Sequence, residues 1–493
     1  MKEYATQPRR IENLNILVQY ASPIRYTPIR HTNTVQSLPI SFSTVYFNLR
    51  MSTIVEEEPY AAAVSGAHLK NVCSNCFLRN DEKPLQRCSR CKVVSYCSSS
   101  CQKKDWGIHK DECVFLVSVS PNIPRSTARL MARLLIRKHR GDDVSVKGFN
   151  GRCFDDLMHH SDEIQSSGEH LELFSSLVHG LKQYITEEFM VEPTELLRCF
   201  GRMTINCFGI TGDDQITVGE GVYLGLSVLD HSCAPDAFVR FRGRTAILRS
   251  PVVGQKFGNE LTIPYTNLDT LSSERRSALE RQYFFKCTCK VCMNTERDGY
   301  ARSLQCDICM KGVCLVLDSS TVLTCVTCGA VNPTPVDEAM RMSQHIEWQL
   351  EKQKDNKNDV VRNLYSDVAL FKKYSVILSR FNLPLAALAY RIVNLALSLD
   401  RRDIAQSHAF FYLDAYKRYL PVGHPLLTYC FLTASMAASF EQPESIRVLS
   451  LLEETRQACL LSHGPRDPEC VNVDRQVSLY RTRLHNICPD FPA

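Results

Sequence analysis

The sequence predicts an α+β protein: a small, irregular β core carrying cysteine-rich modules, a helical insert and a helical C-terminal part. Three observations carry that expectation. Between Gly221 and Tyr265, short β-rich runs (AFVRFRG, TAILRSPVV, ELTIPY) are separated by Gly and Pro. Apolar residues recur at three- and four-residue spacing in RLMARLLIRKH and LFSSLVHGLKQYITEEF, and again from about Pro335 to the end. Most cysteines fall in short C-x2-C pairs.

Taken in order, residues 1–50 read as an atypical, poorly ordered extension. Residues 13–55 lack Asp and Glu and are rich in Ser and Thr, which loosely resembles a mitochondrial transit peptide. Segment 51–72 holds a short strand from Ile54 to Val64, and 73–113 is a compact cysteine-rich module. A helical insert spans 114–197, the β-rich block 198–271, and further cysteine motifs occupy 272–297 and 300–334. In 335–493, the segments IEWQLEKQK, LAALAYRIVNLALSL and HAFFYLDAYKRYL are amphipathic, with Gly423-His424-Pro425 and Gly464-Pro465 as hairpin punctuation. Paired antiparallel helices, similar to tetratricopeptide repeats, fit these lengths and turns, although the repeat consensus is absent.

At 493 residues with 44% hydrophobic and 23% charged residues, the chain can bury several cores. A net charge of +5 is too weak to imply a dedicated nucleic-acid binder, and no basic recognition helix stands out. No apolar run approaches the ~18 residues needed to span a bilayer, and no secretory signal is evident. Paired cysteines then point to metal binding in a reducing compartment, the nucleus or cytoplasm.

The first cluster reads Cys73-x2-Cys76, Cys88-x2-Cys91, Cys97-x3-Cys101 and His109-x3-Cys113. Eight soft ligands in four pairs suit two tetrahedral zinc sites, and so short a segment needs metal to supply folding energy. Cys287-x-Cys289-x2-Cys292 offers three thiolates and requires a fourth ligand from elsewhere. Cys306-x2-Cys309 and Cys325-x2-Cys328 have the fifteen-residue gap of a zinc ribbon. Fully ligated zinc of this kind is structural. The remaining cysteines, such as Cys153, Cys199 and Cys430, read as buried thiols.

With Tyr96, Gln102, Trp106 and His109 at their positions, the first cluster resembles the MYND finger, a protein-interaction module that often takes proline-containing peptides. Residues 200–292 carry ordered blocks that resemble a SET domain: INCFGI around Asn206, Asp230-His231-Ser232-Cys233-Ala234-Pro235-Asp236 in place of NHSCxPN, GNELTIPY ending at Tyr265, and RQYFFKCTCKVC. Together they resemble the SMYD family, SET-domain protein-lysine methyltransferases interrupted by a MYND finger.

That resemblance implies interleaved finger sites, Cys73, Cys76, Cys97 and Cys101 in one and Cys88, Cys91, His109 and Cys113 in the other. It also implies that Cys233 completes the Cys287, Cys289, Cys292 set, giving about four zinc ions with the ribbon. It further implies S-adenosyl-L-methionine as cofactor and histone or cytosolic protein substrates for a monomer. Tyr265 becomes the catalytic tyrosine, with Tyr283 and Phe285 completing the lysine channel. Asn206, Asp230 and His231 become cofactor contacts alongside Tyr265 and Phe285, and His160 aligns loosely with another. A tyrosine ending a strand is otherwise an ordinary packing residue.

Two departures stand out. The family's first strand bears a glycine pair that lets the backbone approach the cofactor, whereas residues 1–50 contain no glycine. The asparagine before His231 is Asp230. A catalytically weak adaptor that binds partners through the finger and the helical domain is therefore a second reading.

Overall fold

The computed structural model describes residues 52–79, 83–142, 151–212, 216–251, 257, 258, 260–354, 359–440 and 445–487. The N-terminal extension, with its transit-peptide-like composition, lies outside the described residues. The strand expected over Ile54–Val64 is two strands, β1 (Ser52–Glu57) and β2 (Ala61–Val64). Pro59 between them cannot donate to a ladder. Two compact units follow from the contacts, one of Glu57–Ser227 and Phe241–Ala246, the other of the residues just before Glu57, Val228–Arg240 and Ile247 onwards.

In the first unit, β3 (Gln86–Arg87) and β4 (Ser95–Tyr96) form the finger hairpin, which feeds helix α1 (Ser99–Ser118). Ser98 starts that helix by accepting the Cys101 N–H at 3.2 Å. Helix α2 (Ser126–His139) buries Leu130, Met131, Ala132, Leu134, Leu135 and Ile136. At roughly 1.5–3 kcal/mol per large apolar side chain, this one helix supplies much of the unit's core. The rest of the insert is helical, as expected, through α3 (Ser161–Ser166), α4 (Gly168–Tyr184) and α5 (Pro193–Asn206). Strands β5 (Cys207–Thr211) and β6 (Thr217–Val222) join β2 in an antiparallel sheet of order β2–β6–β5. The Gly219-Glu220-Gly221 run lies inside β6, where a Cβ on Gly219 would meet the Phe77 ring at 2.5 Å. Its glycines serve strand packing.

β7 (Asp230–His231), in the second unit, precedes the hairpin strands β8 (Phe238–Arg242) and β9 (Thr245–Ser250), whose tip, Phe241–Ala246, belongs to the first unit; the sheet has the order β1–β9–β8. Strand β10 (Thr262–Ile263) runs parallel to β7, pairing Thr262 with Asp230 and Ile263 with His231. Helices α6 (Ser272–Tyr283) and α7 (Thr295–Ala301) lead to two short hairpins, β11 (Leu304–Gln305) with β12 (Val313–Cys314) and β13 (Leu323–Thr324) with β14 (Val331–Asn332).

The chain is then helical: α8 (Val336–Lys354), α9 (Val360–Tyr374), α10 (Leu383–Ser398), α11 (Arg402–His408), α12 (Leu413–Tyr419), α13 (Pro425–Ala438), α14 (Ile446–Ser462) and α15 (Pro468–Ile487). Neighbouring helices pack on one another, as α8 on α9, α9 on α10, α13 on α14 and α14 on α15. HAFFYLDAYKRYL is not one helix, because α11 stops at His408 and α12 begins at Leu413. Gly423 and Gly464 adopt φ of 85° and 94°, the left-handed turns that their hairpin positions predict. Among the described residues no helix is long and apolar enough to cross a membrane.

Candidate metal centres and active site

Among the described residues, four groups of side chains bring their ligand atoms within 4.8 Å of one another: Cys73, Cys76, Cys97 and Cys101; Cys88, Cys91, His109 and Cys113; Cys233, Cys287, Cys289 and Cys292; Cys306, Cys309, Cys325 and Cys328. Sulfur separations of 3.7 Å for Cys76–Cys97, 3.8 Å for Cys88–Cys113, 3.4 Å for Cys233–Cys292 and 3.8 Å for Cys309–Cys325 are far too long for disulfides. They match the ~3.8 Å edge of a tetrahedron with metal–sulfur bonds of ~2.3 Å, so these residues fit zinc.

Each group also contains at least one thiol inclined to ionise. Cys73 is drawn down to about 5 by the Cys76 thiol. Burial works against ionisation of Cys91, but His109 and the Val94 and Val93 amides bring it to about 6. Burial likewise opposes ionisation of Cys289, yet the Cys292 and Cys233 amides bring it to about 7. The Lys311 and Gly312 amides lower Cys309 to about 6.

Helix α1 carries Asp105, His109 and Glu112 on one face, all buried. The Nε2 of His109 faces Cys91 Sγ at 3.7 Å, while Nδ1 faces Glu112 Oε2 at 3.3 Å. Glu112 also receives Arg129 at 3.0 Å and Arg133 at 2.6 Å, and Arg133 reaches Asp105 at 3.0 Å. Tyr96 donates to Asp105 at 2.8 Å. Burial opposes ionisation of Glu112, but Arg133, Arg129 and His109 together hold its carboxyl well below the usual range. A zinc ligand backed by a carboxylate that is itself held by two arginines joins the finger to α2. Sequence reasoning missed this, because Arg129 and Arg133 lie in a periodic helix where charged side chains usually face water. Their i, i+4 spacing against i, i+7 acids was the available signal.

In the second unit, Arg275, 1% exposed, directs Nη2 at Cys292 Sγ over 3.7 Å. Arg276 donates to the carbonyls of Cys287 at 3.0 Å and Cys292 at 2.8 Å. Four thiolates around one Zn²⁺ carry a net negative charge, which a buried guanidinium offsets. Neither arginine is marked by the cysteine motif.

The aromatic candidates lie together in the second unit. Ring centroids of Tyr265 and Tyr283 are 4.8 Å apart, those of His231 and Tyr265 5.4 Å, and those of His231 and Phe285 5.9 Å. Helix α6 ends at Tyr283, and Phe284 takes φ 59°, a left-handed turn that reverses the chain before Phe285. Tyr265 donates its hydroxyl proton to the Leu229 carbonyl, which presents the phenol oxygen as an acceptor.

His231 accepts the Tyr265 N–H at Nδ1 over 3.0 Å, and its Nε2 lies 3.3 Å from Cys233 Sγ. Burial and then Arg275 push the imidazole down to about 4. With both nitrogens facing protein groups, any cofactor contact of His231 falls to its ring face or backbone. Asp230 is exposed. Asp236, not singled out from sequence, accepts the Thr262 N–H at 3.2 Å and hydroxyl at 2.6 Å and so fixes β10 beside β7.

Asn206 and His160 belong to the first unit. Asn206 is buried at the end of α5, and its amide donates to the carbonyls of Met158 at 2.9 Å and Arg202 at 2.8 Å. Towards a ligand it would therefore act as an acceptor. His160 is not within a helix. It precedes α3 with φ 46° and bonds Glu163 at 3.1 Å.

A MYND-finger family profile matches residues 73–113. The human (Homo sapiens) histone-lysine N-methyltransferase SMYD3 is 32% identical over 248 residues, 50% of this chain and 57% of that protein. Mouse (Mus musculus) histone-lysine N-methyltransferase Smyd1 is 31% identical over 50% of the chain and 52% of its own length. The match therefore spans little more than half of these relatives. Histone-lysine N-methyltransferase ASHR1 of Arabidopsis thaliana is 24% identical over 84% of the chain and 88% of its own length. The chain thus carries a MYND finger at residues 73–113 and, over about half of its length, is similar to lysine methyltransferases that bear the SMYD name.

Proposed function

We propose that the chain is an S-adenosyl-L-methionine-dependent protein-lysine N-methyltransferase acting on histone or other protein substrates. The observation that carries this reading is the joined group of Tyr265, Tyr283, Phe285 and His231, with the Tyr265 hydroxyl directed at Leu229. The relatives' methyltransferase names support it.

When bound, the cofactor supplies a methyl group on a cationic sulfonium. The aromatic rings favour that positive charge and, after transfer, the charge of the methylated ammonium, while excluding water. With its O–H engaged in a hydrogen bond to the Leu229 carbonyl, the Tyr265 oxygen would accept an N–H of the neutral lysine amine and so orient the nitrogen lone pair for methyl transfer. Tyr283 and Phe285 wall the side chain. The family resemblance assigns Asp230, His231, Tyr265 and Phe285 to the cofactor.

About four zinc ions hold the modules, and the finger takes proline-containing peptides, for which Trp106, 42% exposed on α1, offers an aromatic surface. The composition of residues 1–50, without glycine, favours the second reading, a weakly active adaptor.

The test is methyl transfer from labelled cofactor to a panel of histone and cytosolic proteins, with Tyr265→Phe as control. Turnover in the variant should fall by roughly 10²-fold or more with cofactor affinity nearly unchanged, since the ring keeps its place and only the orienting oxygen is lost. Equal turnover removes Tyr265 from the reaction.

A further inference from the structure

The parallel pairing of β7 with β10 sets His231 opposite Ile263, so its imidazole meets the amide of Tyr265 two residues further on, at 3.0 Å. An amide proton aimed at Nδ1 requires a lone pair there. The ring proton then resides on Nε2, the nitrogen 3.3 Å from Cys233 Sγ. Cys233 is one of the four thiols of the Cys233, Cys287, Cys289, Cys292 group. A metal-bound thiolate is a charged acceptor for that N–H, whereas a metal-free thiol is a weak one.

We propose that His231 is a positioning residue that ties the catalytic tyrosine to the zinc group, its Nε2–H donating to the Cys233 thiolate while Nδ1 holds the Tyr265 amide. Tyr265 is thereby gripped at both ends by one short segment, its backbone N–H by His231 and its hydroxyl by the carbonyl of Leu229. Zinc at this group acts on the reaction through orientation, by fixing the imidazole that fixes the tyrosine backbone. The inference rests on the reading of Tyr265 as catalytic, but its structural half can be measured without any turnover.

The experiment compares the full-length protein with His231→Phe, which keeps a ring beside Tyr265 and Phe285 but removes both nitrogens, and with His231→Gln, whose amide can again accept and donate. After ¹¹³Cd replacement of zinc, one four-thiolate resonance should move in His231→Phe and return towards its original position in His231→Gln. Hydrogen exchange of the peptide containing Tyr265 should speed up in the first variant and recover in the second.

Where methyl transfer is present, kcat should fall about 10-fold or more in His231→Phe with KM for the protein substrate little changed, and partly recover in His231→Gln. Unmoved cadmium resonances with an unchanged exchange rate overturn the proposal. So does a kcat loss without a cadmium shift, which would cut zinc out of the relay. Should His231→Phe fail to fold, a wild-type-like cadmium spectrum and exchange rate in His231→Gln still support the relay, and a shifted resonance with fast exchange there overturns it. Absence of methyl transfer by the wild type defeats the functional reading alone and leaves the cadmium and exchange measurements to decide the relay.

Discussion

Glu112 and His109 face each other at 3.3 Å, Oε2 to Nδ1, with neither side chain exposed to water. The imidazole's other nitrogen points into the Cys88, Cys91, Cys113 group, so this carboxylate sets the tautomer and the aim of a metal ligand. Glu112→Gln keeps the shape and an acceptor oxygen but removes the charge. Zinc affinity of the finger should fall by roughly 10–100-fold, read by competition with a chromogenic chelator. Unaltered affinity would mean that the arginines alone hold α1 in place.

The same carboxylate gives a pH signature. Its folded-state pKa is depressed below the ordinary 4.5, so its stabilising contribution is fully present above that value and is lost as pH falls through the lower folded value. Asp105, Arg129, Arg133, His109 and Tyr184 are the charged or titratable neighbours. Acid also protonates the cysteine ligands and releases zinc sooner from the weaker site, so the comparison is made with zinc in excess and over the pH range in which both proteins keep it. The stability difference between wild type and Glu112→Gln should be constant from pH 7 to about pH 5 and shrink below about 4.5, measured by thermal unfolding at each pH. A difference that widens in acid would reverse the sign of the argument.

Gly243 adopts φ 58° at the tip of the β8–β9 hairpin, and a Cβ there would lie 2.2 Å from the carbonyl oxygen of Cys76. The next residue, Arg244, donates its N–H to that same carbonyl at 3.0 Å, so the hairpin tip sits directly on a zinc-binding knuckle. Gly243→Ala adds both backbone strain and a collision with main chain, at a cost of roughly 1–3 kcal/mol or more. The expected result is a lower unfolding midpoint and faster zinc release from the finger. Unchanged release kinetics would show that the knuckle does not depend on the hairpin.

Local chemistry explains what was legible in the sequence. Cysteine spacing and the resemblance named the four ligand groups, because short loops hold paired ligands wherever the rest of the chain runs. The insert and C-terminal helices could be read from periodicity, and the glycine turns at 423 and 464 from residue type. What escaped depends on contacts between distant segments. Arg129 and Arg133 are ordinary helix residues until α1 supplies Glu112 and Asp105. The bonds from His231 to Tyr265 and Cys233 need the parallel pairing of two-residue strands, too short to leave a pattern. Gly243 looked like a plain hairpin turn, since nothing in AFVRFRG names Cys76 as its neighbour.

Asp230 offers a direct probe of cofactor affinity. It stands exposed on β7 beside His231, where the family resemblance places an asparagine. If the cofactor's carboxylate end lies against this position, two like charges meet where an amide would donate a hydrogen bond. At about 5 Å and an effective dielectric of ~40–80, such repulsion amounts to about 0.8–1.7 kcal/mol, or roughly 4- to 20-fold in affinity. Asp230→Asn should therefore tighten binding of S-adenosylmethionine by about that factor in calorimetric titration. Because the position is exposed, the gain should shrink as salt is raised from 0.02 to 0.5 M, where the screening length falls from roughly 20 Å to about 4 Å. A salt-independent gain would point instead to the amide donor restored by asparagine. No gain at any ionic strength would place the cofactor's carboxylate elsewhere, leaving the glycine-free residues 1–50 as the departure that weakens binding.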